Sequence, residues 1–304
     1  MRLKINFTDF WIGFKKIDNF FWNLLSRHYE LELSEQPDVL LFSVFGDEFK
    51  KHKCLRIFYT GECFEPNLRD ADLSLSFSYK EDKGHYRFPL YAMRIDINQL
   101  LQKPDPAVIL KEKTKFCSFV VSNGGSKQRN QFFHKLSEYK KVDSGGRLFN
   151  NIGGPVADKM TFIKDYKFVI SFENERRKGY TTEKIVEPML VNSIPIYWGD
   201  PLISKDFNPK SFINVPDFKN FDEVIKQLIR IDRDDELYCS YLSKPWLNNN
   251  TFNMNYLHSA LLEKLIDIID NRHTINLAVD NKTSSIHKIA DRLKRKLRGE
   301  RKFY

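Results

Sequence analysis

Apolar residues fall along the chain in short, dense runs. Leu3–Phe7, Val39–Phe45, Leu55–Tyr59 and Leu73–Phe77 each read as a strand, and Phe20, Phe21, Leu24 and Leu25 between them read as one helix face. Short apolar strands alternating with helical patterns predict a parallel α/β arrangement. Residues 98–114 carry Pro104, Pro106 and a run of charges and read as a linker. A second α/β pattern follows. Phe116–Ser122 reads as a strand, Gly124-Gly125 as a turn, and Ser126 as the cap of a helix whose apolar face is Phe132, Phe133, Leu136 and Tyr139. Tyr166–Phe172 and Ile194–Trp198 read as strands around a short helix over Thr182–Asn192, and Asp222–Ile231 and Tyr256–Ile269 are periodic as helices. Two α/β halves can enclose a cleft, and open parallel sheets bind ligands beyond the carboxyl ends of their strands.

The 304 residues, 41% of them hydrophobic and 26 of them Phe, suffice for one large or two medium domains with aromatic-rich cores. The net charge of +9 invites a nucleic-acid reading until its location is checked. Residues 286–304 alone hold eight Lys and Arg against two acidic residues, so most of the excess belongs to the tail. There, Ile286, Ile289, Leu293 and Leu297 line one side of a basic amphipathic helix, suited either to an anionic membrane surface or to a solvated, fraying terminus. Cys54, Cys63, Cys117 and Cys239 show no zinc spacing and read as ordinary thiols in a reducing compartment. No stretch approaches the about 20 apolar residues of a membrane span, and no signal-peptide core is visible.

The densest chemistry lies in Phe168–Pro201, FVISFENERRKGYTTEKIVEPMLVNSIPIYWGDP. A buried strand ends at Glu173 and Asn174, a polar loop follows, and Thr182 opens a helix with Glu183 and Lys184 in its first turn. Free backbone N–H groups and the positive dipole end at a helix start suit a phosphate, and Lys184 adds a full charge. Glu183 could accept from ribose hydroxyls, although acidic residues are favoured in any first helical turn. Arg129 occupies the corresponding first turn after Phe116–Ser122, where it could clamp phosphate oxygens; a solvated surface arginine is the simpler reading of that pattern alone. Glu62, in Tyr59-Thr60-Gly61-Glu62, stands at a strand's carboxyl end as a possible general base, with a plain turn as the simpler reading.

The blocks FEN, GYTTEK and IPIYWGDP, followed by Asp206–Asn214, resemble the signature of the α-1,3/4-fucosyltransferase family, glycosyltransferase family 10, in its bacterial branch. Phe119–Asn123, Arg129-Asn130 and Tyr59–Glu62 match further blocks of that family in order. The resemblance implies an α/β protein of the GT-B type, with two Rossmann-like domains facing a cleft. Residues 1–112 would bind the acceptor and carry the base, 113–275 would bind GDP-fucose, and 276–304 would form the basic tail. It implies Glu62 as the catalytic base, Arg129 and Lys184 on the diphosphate, Asn174, Tyr180 and Glu183 lining the donor site, and Glu173 nearby.

The implied activity is inverting α-1,3 transfer of L-fucose from GDP-β-L-fucose to the GlcNAc of a Gal-GlcNAc acceptor, giving a Lewis x type product on a lipopolysaccharide or capsule glycan. Alternatives are α-1,4 or mixed specificity, another GT-B glycosyltransferase, or a non-catalytic membrane- or nucleic-acid-binding protein. No metal site and no obligatory cofactor are expected, with manganese or magnesium at most stimulatory. Nucleic acid is not an expected partner, and the expected location is cytoplasmic, with peripheral contact to the inner membrane face through the tail. Two features depart from the family pattern: residues 272–285 hold no seven-residue repeats, and Pro188 sits inside the signature helix.

Overall fold

A computed structural model describes residues 1–65 and 67–274, so the tail helix expected over 286–304 lies outside the described residues. The chain divides into two compact units, one of Met1–Met93 together with the described residues from Met254, the other of Arg94–Asn253.

The first unit is a six-stranded, wholly parallel sheet. Its strands are β1 (Arg2–Thr8), β2 (Glu30–Leu33), β3 (Val39–Phe42), β4 (Leu55–Tyr59), β5 (Leu73–Ser76) and β6 (His85–Arg87), in the order β2-β1-β3-β4-β5-β6. Ile5 stands opposite Val39, and Val39 opposite Leu55. Every residue of β3 and β4 is buried, Arg56 included, as central strands are when both faces of a sheet are covered. On one side Leu40, Phe42, Val44, Phe49, Phe58 and Phe64 form a cluster in which Phe42 and Phe49 stack at 4.2 Å. Helix α1 (Phe20–Leu25) starts where the Asn19 side chain accepts from the N–H groups of Phe21 and Trp22, and α2 (Leu90–Arg94) follows β6.

The second unit has five parallel strands: β7 (Lys115–Phe119), β8 (Val142–Ser144), β9 (Tyr166–Phe172), β10 (Ile194–Trp198) and β11 (Ile213–Asn214), in the order β11-β10-β9-β7-β8. Its helices are α3 (Pro106–Glu112), α4 (Lys127–Tyr139), α5 (Lys159–Ile163), α6 (Glu183–Leu190), α7 (Phe221–Arg233) and α8 (Asp235–Leu242). The stretch 98–114, read as a linker, instead carries α3 within this unit. Pro106 occupies the first turn, where its missing N–H costs nothing, and Asp105 accepts from the N–H of Ala107 at 2.7 Å. Pro188 is buried inside α6, which stays continuous around it.

Helix α9 (His258–Asp270) matches the periodicity of Tyr256–Ile269 but returns to the first unit, burying Leu261, Leu265 and Ile269. His258 bonds the Ala92 carbonyl at 2.8 Å, and Tyr29 donates to Asp270 at 2.8 Å.

Each unit is thus a doubly wound Rossmann-like sheet whose first strand lies inside rather than at the edge. In each, the winding reverses between the first and third strands of the unit. That reversal is where such sheets open a ligand crevice. In the second unit it lies between β7 and β9.

Candidate active site

The residues that follow β7 and β9 meet at this reversal. After β7 the chain turns through Asn123-Gly124-Gly125 into α4. The turn is closed by the Asn123 side chain, which accepts from the Gly125 N–H at 2.7 Å, and by Asn130, which donates to the Gly124 carbonyl at 2.9 Å. Ser126 occupies the cap position of α4 but makes no side-chain capping bond.

Arg129 is not a solvated surface residue. It is 1% exposed, because it opens the buried stripe of α4 that continues through Phe132, Phe133 and Leu136. Its guanidinium donates to the Asn174 side-chain oxygen at 2.9 Å and to the Asn123 carbonyl, and its Nε has no hydrogen-bond partner among the described residues. Burial lowers its pKa and the charge of Glu173 opposes that shift, yet an arginine keeps its proton. A buried cation whose named acceptors are both neutral favours an incoming anion.

The loop after β9 supplies the other half. Asn174 is exposed, while Glu173 beside it is fully buried. Glu173 accepts from the Thr182 N–H at 2.8 Å and from the Thr182 hydroxyl at 2.8 Å, and pairs with Lys184 at 3.2 Å. Burial pushes its carboxyl above the ordinary range, against the pull of Lys184 and Thr182. Burial alone would discharge Lys184, but Glu173 and Glu183 outweigh it and hold the ammonium charged, with Arg129 repelling. Burial likewise raises Glu183, and Lys184 and Lys159 bring it below the usual value. Two mutually repelling cations, Arg129 and Lys184, therefore share one electrostatic neighbourhood at the start of two helices.

Tyr180 is 3% exposed, and its N–H closes a turn onto the Arg177 carbonyl at 3.1 Å. Asp200 was not singled out from the sequence, yet it fixes this loop. It accepts from the N–H groups of Gly179 and Leu202, both at 2.7 Å, while Gly179 takes a φ of +81°. Gly199 leaves no room for a Cβ, which would lie 2.5 Å from Glu173 Cγ and 2.6 Å from the Tyr197 hydroxyl. A glycine directly after a fully apolar strand was the available signal for that close approach.

Glu62 belongs to the first unit, in the loop that leaves β4. Its N–H donates to the Thr60 hydroxyl at 3.0 Å, its carbonyl accepts from Phe64 at 2.7 Å, and it is partly buried. No group of three His, Cys, Asp or Glu side chains among the described residues is arranged to hold a metal, and no helix among them is long and apolar enough to cross a membrane.

Comparison with known proteins places both units. Residues 110–286 match the family described as glycosyltransferase family 10 (fucosyltransferase) C-term, and residues 5–94 match the alpha-(1,3)-fucosyltransferase FucT N-terminal domain. The alpha-(1,3)-fucosyltransferase FucT of Helicobacter pylori is 33% identical over 290 residues, covering 81% of this chain and 60% of that protein. A putative fucosyltransferase of Acanthamoeba polyphaga mimivirus is 37% identical over 210 residues, 64% of this chain and 34% of its own. The chain thus spans less than two thirds of these relatives' lengths. A crystal structure of an alpha1,3-fucosyltransferase with GDP-fucose superposes with a TM-score of 0.76 at 30% identity, covering 92% of this chain and 93% of that one. The fold is of the GT-B type.

Proposed function

The chain belongs to glycosyltransferase family 10, the fucosyltransferases, and we propose that it transfers L-fucose from GDP-β-L-fucose, with inversion, to the GlcNAc O3 of N-acetyllactosamine-type acceptors. The observation that carries this reading is the buried Arg129 guanidinium, bonded to the neutral oxygens of Asn123 and of Asn174, which directly follows the Glu173 that pairs with Lys184. Such an arrangement suits a diphosphate in both charge and geometry. The Helicobacter pylori relative and the structural neighbour with GDP-fucose support fucose and guanosine diphosphate as the sugar and the nucleotide.

In this mechanism the β-linked donor becomes an α-linked product in one displacement. Glu62 takes the proton of the acceptor hydroxyl as the new bond forms, a role commonly contributing about 10²–10⁴-fold. The sugar passes through an oxocarbenium-like state, as in glycoside hydrolysis. Negative charge grows on the departing GDP, and Arg129, Lys184 and the start of α6 stabilise it there. Asn174, Tyr180 and Glu183 line the donor site. The proposed reaction requires no metal, so activity should persist in a chelator, with manganese or magnesium at most raising it. The basic segment 286–304 is proposed to rest on anionic membrane.

The direct test is incubation with GDP-fucose and the type 1 and type 2 isomers of N-acetyllactosamine, with linkage analysis of the product. Fucose α-1,3-linked to GlcNAc of the type 2 isomer is expected. An α-1,4 product on the type 1 isomer would move the specificity, and turnover only with another sugar nucleotide would refute the reading.

A further inference from the structure

Glu173 is the first residue past β9, and its backbone N–H extends the ladder to the Trp198 carbonyl at 2.8 Å. Its side chain is 0% exposed, an unfavourable place for a carboxylate. Gly199 closes over it on the neighbouring strand's extension. Its two oxygens are occupied by Thr182, through both N–H and hydroxyl, and by Lys184. From this geometry we infer that Glu173 is a positioning residue for the donor diphosphate: it fixes the Lys184 ammonium and the Thr182 start of α6 without itself touching the donor. The inference rests on the GDP-fucose reading above and assigns a role within that site.

Three observations support it. A buried ion pair adds little net stability over an apolar pair of the same size, so stability alone does not account for a carboxylate at this depth. Lysine carries its charge on a flexible four-carbon stem, so a defined position for the ammonium has to come from its partners. Here the Thr182 hydroxyl donates to Glu173 and accepts from Lys184 at 3.1 Å, closing a three-membered set of side chains. Two of the three ammonium N–H groups are thereby engaged by Glu173 and Thr182, with the Glu183 carboxylate 3.7 Å away. The same carboxylate offsets the burial of Lys184 and the repulsion from Arg129, both of which favour loss of its proton. Glu173 therefore contributes most to the charge of this cation, with Glu183 beside it, and shares its orientation with Thr182.

Glu173→Gln keeps the shape and removes the charge. The expected result is a GDP-fucose KM raised about tenfold or more, the order of one lost charge-assisted interaction. The alkaline limb of kcat/KM should also move to lower pH, because Lys184 loses the larger of the two charges that keep it protonated, Glu183 remaining. Glu173→Asp should restore the limb while leaving KM raised, since its shorter stem withdraws the carboxylate. Thr182→Val removes the bridging hydroxyl and keeps the carboxylate, so it should raise KM with the limb unmoved. GDP titration by calorimetry at two pH values reads the same effects without turnover. A folded Glu173→Gln protein with wild-type KM and an unmoved limb overturns the inference, even if its melting temperature falls. Should that variant not fold, a Thr182→Val protein with wild-type GDP affinity overturns it. Wild-type protein that binds GDP but transfers no fucose would defeat the functional reading instead, leaving the role of Glu173 to the calorimetry.

Discussion

Burying an arginine has a free-energy cost that its surroundings must offset, and at Arg129 the named acceptors are an amide and a carbonyl oxygen. They engage the two terminal nitrogens of the planar guanidinium, and a lysine could not reproduce that geometry. Arg129→Lys should therefore lower kcat/KM for GDP-fucose by about 10–100-fold, corresponding to about 1.4–2.8 kcal/mol, in steady-state kinetics. Little change would mean that the fork is not used. Gly199 gives a steric case. A methyl group there meets Glu173 and the Tyr197 hydroxyl, so Gly199→Ala should destabilise the fold by about 1–3 kcal/mol in a thermal melt and raise the GDP-fucose KM with it. Arg129 was partly legible in the sequence. The stripe Phe132, Phe133, Leu136 extrapolates back by helical spacing to position 129, so its burial could have been read from periodicity. The role of Asp200 could not, because its partners Gly179 and Thr181 lie about 20 residues away and only the fold brings them together.

Elements were legible in proportion to how apolar they are. Leu55–Tyr59, Tyr166–Phe172 and Ile194–Trp198 form strands over the very residues that the hydrophobic runs mark. The strands β2, β6, β8 and β11 went unread. Each has two to four residues, and Glu30–Leu33 alternates charge with leucine as edge strands do. The loop between β9 and α6 has a consequence of its own. Arg176, Arg177 and Lys178 are exposed on a segment pinned by Asn174 at one end and by Gly179 at the other. Three exposed cations beside the proposed diphosphate site should speed the encounter with an anionic donor. Replacing all three with Gln should lower kcat/KM at low ionic strength and flatten its dependence on salt, while kcat changes little. An unchanged salt profile would show that the loop does not contribute to donor capture.

At the scale of the whole molecule, the two units repeat one winding on different sequences, and the site chemistry is unevenly divided between them. The two-half α/β pattern was readable from the order of runs. The return of α9 to the first unit was not, because periodicity identifies a helix but not the sheet it covers. The cations belong to the second unit and the proposed base to the first, so donor binding and chemistry should be separable by mutation. Glu62→Gln should lose about 10²–10⁴-fold or more in kcat and bind GDP like the wild type; normal turnover would remove Glu62 from the mechanism. The central claim is that a guanosine diphosphate is held at the β7–β9 reversal by Arg129 and Lys184. A crystal structure of this protein with GDP tests it most directly. Diphosphate oxygens within hydrogen-bonding reach of the Arg129 guanidinium and the Lys184 ammonium are the predicted result, and a diphosphate seated away from both would contradict the account.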